Sequence, residues 1–317
     1  MDLVSGRQFF DCFEGLTYEQ KTRTATDLAD AISSLYSITS SYCGSMVHNK
    51  SLTDSQRSPR YVFAGSSPLP PHTALPDNDF IIGPFNDITF LELPKTVPAL
   101  SCGPFRTERS FLEAIAYRGS PPTRSSEKVN RWAYERLFEV YDAVRPLYSI
   151  PGGEPQTFHF SQGDLSGANI FLDPETGAVT GIIDWEMSGF RPAWLVAAGP
   201  GWFDDDSCKF TVEDDQDGPN GYEDLTEDDR RLIEHFRTVL GERNPELLQH
   251  HERSVELRAM FYTLCHEFPS NVTVWLEQYE KYEWDVNTRG PFPFDFQSWI
   301  LESINLYQGK LVLSLWP

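Results

Sequence analysis

Between Gln162 and Glu186 the chain reads QGDLSGANIFLDPETGAVTGIIDWE. It spaces an acid, an amide and a second acid as Asp164, Asn169 and Asp184. Phosphoryl transfer uses such a set. It needs an acid to orient or deprotonate the attacking hydroxyl, hard oxygen ligands to hold Mg²⁺ against a triphosphate, and a cation to clamp the phosphates as charge develops. Asp164 suits the first task, as base or as substrate-orienting group. The Asn169 Oδ1 and the Asp184 carboxylate suit the second. The plain competing reading is that these are turn residues, which Asp and Asn favour in any soluble domain.

Positioning them needs a loop and a hairpin. The residues between Asp164 and Asn169 form a loop that lets both side chains face one cleft. Ile170–Leu172 reads as a strand, Pro174–Gly177 as a turn and Val179–Ile183 as the return strand, which sets Asp184 beside Asn169. Upstream, Thr17 with Gln20 has the form of a capping box. Ala25, Leu28, Ala29, Ile32, Leu35 and Tyr36 follow at helical spacing, with Gly44 beyond the helix. A short helix begins at Phe111–Tyr117. Another is expected over Val129–Val144, with Trp132, Leu137, Val140 and Tyr141 in the core, and further helices over Asp229–Leu240 and Ser254–Glu267. The tail mixes Trp275, Trp284, Trp299 and Trp316 with charge, as helices wrapping a lobe would. His159 reads as a satisfied or surface histidine, and Trp185 as core packing that supports the site. Glu186 either orients a loop or approaches substrate.

Residues 49 to 104 lack periodicity; IIGPF and CGPF there read as loop and turn. So long an irregular stretch is expected to contribute short strands or a function. Between Asp204 and Asp229 lie twelve carboxylates, interrupted only by Lys209. A solvated loop running into a helix N-terminus accounts for them; a cation-attracting rim, with Asp204, Asp205 and Asp206 touching substrate, is the functional alternative.

The 317 residues carry a formal charge of -21 and are 14% aromatic, enough to build a core. That charge disfavours nucleic acid and anionic membranes and favours neutral or cationic small molecules. Five scattered cysteines without metal-ligand spacing read as reduced thiols. With no signal peptide and no long apolar run, a cytoplasmic protein is expected.

The ordered set resembles the catalytic region of the aminoglycoside phosphotransferase family, closest to its fungal branch, which shares the protein-kinase-like fold. The family pattern is HGDL…N followed by IIDWE; here it is Gly163-Asp164-Leu165, Asn169, then Ile182-Ile183-Asp184-Trp185-Glu186. The resemblance implies Asp164 as the catalytic acid, Asn169 and Asp184 as metal ligands, Mg²⁺ and ATP as cofactors, and a small hydroxyl-bearing substrate. Ile81–Phe85 and Gly103–Arg118 resemble segments between hinge and catalytic loop. The likeness runs from Met1 to about Gly201 and continues weakly through the tail.

Two departures stand out. Gln162 occupies the position of the family's His, whose part is to brace the loop against the metal-binding segment. MDLVSGR resembles the hinge, and the sequence has no Gly-rich strand–loop–strand followed by a Lys-bearing strand, so no phosphate-clamping Lys is assigned. Arg191 is near the site and is not read as a substitute. The expectation is an α+β, mainly helical C-terminal lobe of a protein-kinase-like fold with a small β-hairpin at the cleft, its N-terminal nucleotide-binding lobe absent. Residues 1–15 form a hinge-like segment and 16–317 the lobe. Phosphotransferase activity would then be weak or lost, with a non-catalytic binding or scaffold module as the alternative. Leu3, Val4, Phe9 and Phe10 would lie near the surface left by that lobe, to be met by self-association or by the 49 to 104 segment.

Overall fold

The computed structural model describes residues 4–48, 80–86, 102–117, 127–148, 157–200 and 226–265, with Leu276, Tyr279 and Glu280. The fold is α+β, with more residues in helices than in strands and every strand pair antiparallel.

Strand β1 (Arg7–Gln8) leads into the one-turn helix α1 (Phe9–Cys12) and a 3-10 turn at Phe13–Gly15. Helix α2 (Tyr18–Tyr36) starts where the capping box places it. Thr17 Oγ1 accepts from Gln20 N at 3.3 Å, and Gln20 Oε1 accepts from Thr17 N at 2.8 Å. Two otherwise orphaned amides are thereby satisfied. Its expected apolar stripe is buried at Ala25, Leu28, Ala29, Ile32 and Tyr36, while Leu35 is half-buried.

Next come β2 (Thr39–Ser40), β3 (Gly44–His48), β4 (Phe80–Gly83), α3 (Glu108–Tyr117) and α4 (Glu127–Val144). They are followed by β5 (Phe158–Ser161), β6 (Ile170–Leu172), β7 (Val179–Ile182) and β8 (Gly189–Pro192). The described chain then continues through α5 (Ala193–Val196), α6 (Glu227–Arg243), α7 (Pro245–Arg253) and α8 (Val255–Cys265). One sheet has the order β1-β6-β7 and the other β2-β5-β8-β3-β4.

The second sheet bears out the expected short strand in the 49 to 104 stretch and corrects the reading of IIGPF as loop and turn. Gly44 opens a strand, and IIGPF is not all loop, since Val47 pairs with Ile81 and Ser45 with Gly83. The apolar side chains at Ile82 and Phe85 are buried, so the segment earns its order through tertiary packing and not through periodicity. The expected helix over Ser254–Glu267 begins as α8, and a separate helix, α7, precedes it, capped by Asn244 with Pro245 in its first turn.

Two clusters make the core. The first packs α3, α4 and α8 on the five-stranded sheet through Phe111, Leu137, Phe158, Phe190 and Trp194. Leu137, Val140 and Tyr141 are buried as expected; the Trp132 side chain lies outside the described residues. The second cluster packs α2 against α6 and β6 through Leu28, Ile32, Ile170 and Phe236. At the N-terminal end Phe10 and Val4 are exposed, as expected, but Phe9 is buried in a stack on Phe13 with centroids 4.1 Å apart. Leu3 and the tail tryptophans lie outside the described residues. Among the described residues no helix is long and apolar enough to cross a membrane.

Helix α2 also carries the hairpin that faces the site. Gln20 Nε2 donates to Glu175 O at 2.8 Å, Thr24 Oγ1 to Gly177 O at 2.6 Å, and Val179 N to Asp27 Oδ2 at 3.0 Å. Gly177 has φ 71, and a Cβ there would overlap Gln20 O, so the close seat of the turn on the helix requires glycine. Thr17→Ala removes one arm of the box. It is expected to lower unfolding stability by about 1 kcal/mol, read as a shift in the urea midpoint at unchanged slope.

Candidate active site

Gln162 lies at the end of β5, buried at 2% exposure. Its Nε2 donates to Ile183 O at 3.0 Å and to Asp184 O at 2.7 Å, and its Oε1 accepts from Asp164 N at 2.7 Å. An amide side chain has two donors on one end and an acceptor on the other, and both donors and one acceptor site are spent on joining the two acid-bearing loops. Gly163 has φ 97, and a Cβ there would overlap Met187 O. Glycine is therefore needed for the loop to pass so close to the segment after Asp184.

Asn169 is buried, and its Nδ2 donates to both Asp164 O and Asp164 Oδ2, each at 2.9 Å. Both amide hydrogens are thus used, and Oδ1 accepts no hydrogen bond among the described residues. Asn169 O accepts from Ile183 N at 2.9 Å, which links the start of β6 to the end of β7. Asp164 and Asp184 are both exposed. Asp184 sits in the left-handed region at φ 58 and ψ 64 and is the one non-glycine residue with positive φ among the described residues. Such a backbone costs of order 1 kcal/mol or more for a residue with a Cβ and concentrates at functional sites. The structure therefore brings Asp164, Asn169, Asp184 and Gln162 into one hydrogen-bonded unit.

Trp185 departs from the expectation of core packing. It is 40% exposed, and its Nε1 donates to Ile182 O at 2.9 Å. The left-handed turn at Asp184 and the 3-10 turn Trp185–Met187 leave its ring partly on the surface. Glu186 is exposed, and its carbonyl accepts from Asn86 Nδ2 at 3.0 Å. Asn86 N in turn donates to Ser45 Oγ at 2.9 Å. Asn86 was not legible as a site residue: a lone Asn after IIGPF carries no spacing signal. Asp204, Asp205 and Asp206 lie outside the described residues; further along the acidic run, Glu227, Asp228 and Asp229 occupy the first turn of α6. There Asp229 and Thr226 form a second capping box, the ordinary place for such acids.

A pocket of about 450 Å³ opens beside Asp164. Ile32 and Leu35 of α2, Phe160 of β5, Leu195 and Val196 of α5, and Phe261 of α8 supply its apolar wall. Gln162, Gly163 and Asp164 form one edge, with Ser161 and Arg191 nearby. Arg191 is buried, donates to Ser161 Oγ and Met187 O at 2.9 Å each, and lies 5.2 Å from the Phe85 ring centroid. Its guanidinium thus holds the Asp184 side of the site in place instead of meeting solvent.

The donor set consists of an amide oxygen and carboxylates, hard ligands of the kind Mg²⁺ takes when it keeps several waters and is bound by one or two carboxylates plus substrate phosphates. The uncommitted Asn169 Oδ1 and the exposed Asp184 carboxylate fit that use. Among the described residues no group of three His, Cys, Asp or Glu side chains could cage a metal unaided. Comparison with family models, with curated proteins and with solved structures finds no match.

Proposed function

We propose that this chain is a phosphotransferase-type protein of the kind that moves a phosphate from ATP to the hydroxyl of a small molecule, with the fold of a protein-kinase-like C-terminal lobe. One observation carries the reading: the buried Gln162 side chain ties the Asp164 loop to the Asp184 turn, with Asn169 locked onto Asp164. Turn acids in an ordinary domain have no need of a shared brace. Gln162 makes the contacts that bracing requires, so its departure from the family's His does not by itself favour a scaffold.

In this reading Asp164 orients the attacking hydroxyl or takes its proton, and Asn169 fixes one carboxylate oxygen so that the other faces the ligand. Asn169 and Asp184 would hold Mg²⁺, whose charge offsets that of the ATP phosphates when it is bound. Among the described residues no cationic clamp is identified. Lys21 is engaged with Glu14 Oε2 at 3.5 Å, and Arg191 is engaged as described. Loss of single electrostatic contacts of this class costs about 3 to 4 kcal/mol in transition-state stabilisation. Transfer by this chain is accordingly expected to be slow, and a nucleotide-binding module is the second reading.

Calorimetric titration of ATP, with and without Mg²⁺, tests the proposal. Binding that requires Mg²⁺ is expected, weakened at least about tenfold, or 1.4 kcal/mol, in Asp184→Ala and Asp184→Gly. Because glycine relieves the left-handed strain at φ 58, Asp184→Gly should be no less stable than the parent while losing the binding. Folded protein that ignores Mg²⁺-ATP would refute the reading. ATP binding with no phosphate transfer above an Asp164→Ala control would leave the binding module.

A further inference from the structure

We infer that the pocket beside Asp164 takes an uncharged, mainly apolar alcohol, held by its hydrocarbon body and presenting its hydroxyl to the Asp164 carboxylate. This deepens the proposed function and rests on it only for the fate of the hydroxyl. The described lining residues favour it over the cationic substrate that the acidic composition suggests.

Charge gives the first argument. Among the described lining residues the charged groups are Asp164 and Arg191, one of each sign. A polyamine sugar carries several ammonium groups, each needing a carboxylate or water when buried, and the described part of this wall offers a single carboxylate next to a buried guanidinium. The acids of the 227–229 run are engaged at the start of α6 and are not among the lining residues.

Hydrogen-bond capacity gives the second. Both Gln162 Nε2 hydrogens are used by Ile183 O and Asp184 O, and its Oε1 already accepts from Asp164 N. Ser161 Oγ accepts from Arg191, and Asp164 Oδ2 accepts from Asn169. The remaining Asp164 oxygen is an acceptor for a ligand O–H. Any hydroxyl of a polyol set against Ile32, Leu35, Val196 or Phe261 would go unsatisfied, at about 1 to 3 kcal/mol for each group. An alkyl or aryl body in the same place gains burial of its own apolar surface.

Size gives the third. A volume of 450 Å³ equals that of about fifteen liquid waters. That lies in the range of ordinary small-molecule pockets and accommodates a single substituted ring or a short chain.

The test is a ligand-observed ¹⁹F NMR titration of the full chain with 2-(4-fluorophenyl)ethanol, with 2-deoxystreptamine as a size-matched dicationic polyol competitor. The alcohol should bind in the millimolar range or tighter and stay bound when the polyol is added. Leu35→Trp on α2 and Ala198→Phe after α5 fill the pocket from different elements. Each should weaken the alcohol at least about tenfold while circular dichroism stays unchanged. Absence of binding at millimolar alcohol overturns the inference, as does displacement by 2-deoxystreptamine, or equal binding by folded filled variants. The wild-type comparison decides the ligand class even if both variants fail to fold. If the alcohol binds but is not phosphorylated by Mg²⁺-ATP, the transfer reading fails and the pocket stands. If Mg²⁺-ATP binds and the alcohol does not, the reverse holds.

Discussion

Gln162→Ala is expected to cost the fold about 3 kcal/mol, near 1 kcal/mol for each of the three hydrogen bonds lost. Asp164 N–H, Ile183 O and Asp184 O each lose their Gln162 partner at a position only 2% exposed. The loss falls on both loops at once, so the two acids should also lose their fixed relation. Mg²⁺-dependent ATP binding is therefore expected to weaken along with stability. Gln162→Glu sharpens the test. It keeps an acceptor for Asp164 N–H but sets a carboxylate oxygen against two carbonyl oxygens at 2.7 to 3.0 Å. It should be at least as damaging as alanine above the pH at which that carboxyl protonates. Gln162→His supplies one donor and one acceptor in its neutral form and should recover part of the loss. Urea denaturation of the three variants checks the order. Equal stability of Gln162→Ala and the parent would show that the brace contributes nothing.

How much of this was legible before the fold was known depends on whether each feature is locally encoded. Helix α2 was, because Thr17, Gln20 and the Ala25-to-Tyr36 stripe act within one segment. So was the β6–β7 hairpin, whose turn and flanking strands are adjacent in sequence. Asp164, Asn169 and Asp184 could be placed together for the same reason. The five-stranded sheet was not legible. Its strands are two to five residues long and pair across wide gaps, as in Phe160 with Phe190 and Val47 with Ile81. Short strands of that kind take their register from packing in the whole lobe and leave no alternation to read. Trp185 was misjudged because its size suggests burial, whereas a left-handed residue before it decides where the ring goes. Helix α7 had signals, Asn244 as cap and Pro245 after it, but its His- and Glu-rich sequence hides a narrow buried face at Leu247 and His251.

That helix carries the second large effect. His250 of α7 and His159 of β5 both lie near Tyr36, whose ring stacks on His159 at 3.7 Å and stands 6.4 Å from His250. His159 Nδ1 is 2.7 Å from Tyr36 O. Its expected reading as a satisfied histidine therefore holds, in a buried setting. Burial pushes the His250 imidazole down to about 4, helped by His159 and Arg145 and opposed by Glu108. His159 is lowered as well, again chiefly by burial. Glu246 stands 4.0 Å from His250 Nε2, too far to offset the cost of burying the charge. The sign follows from linkage. At neutral pH both forms of the chain carry neutral His250. Below the unfolded value of 6.5 the unfolded chain takes up the proton and the native one does not, so stability falls as pH drops from 6.5 toward 4. The His250 share is about 2 kcal/mol by pH 5 and about 3 kcal/mol at the bottom of the window. His250→Gln cannot take up that proton. Its stability should therefore fall less steeply than the parent's between pH 7 and 5, while every carboxylate contributes equally to both proteins and cancels. Parallel pH profiles would mean that His250 is protonated in the native state and that water or Glu246 reaches it.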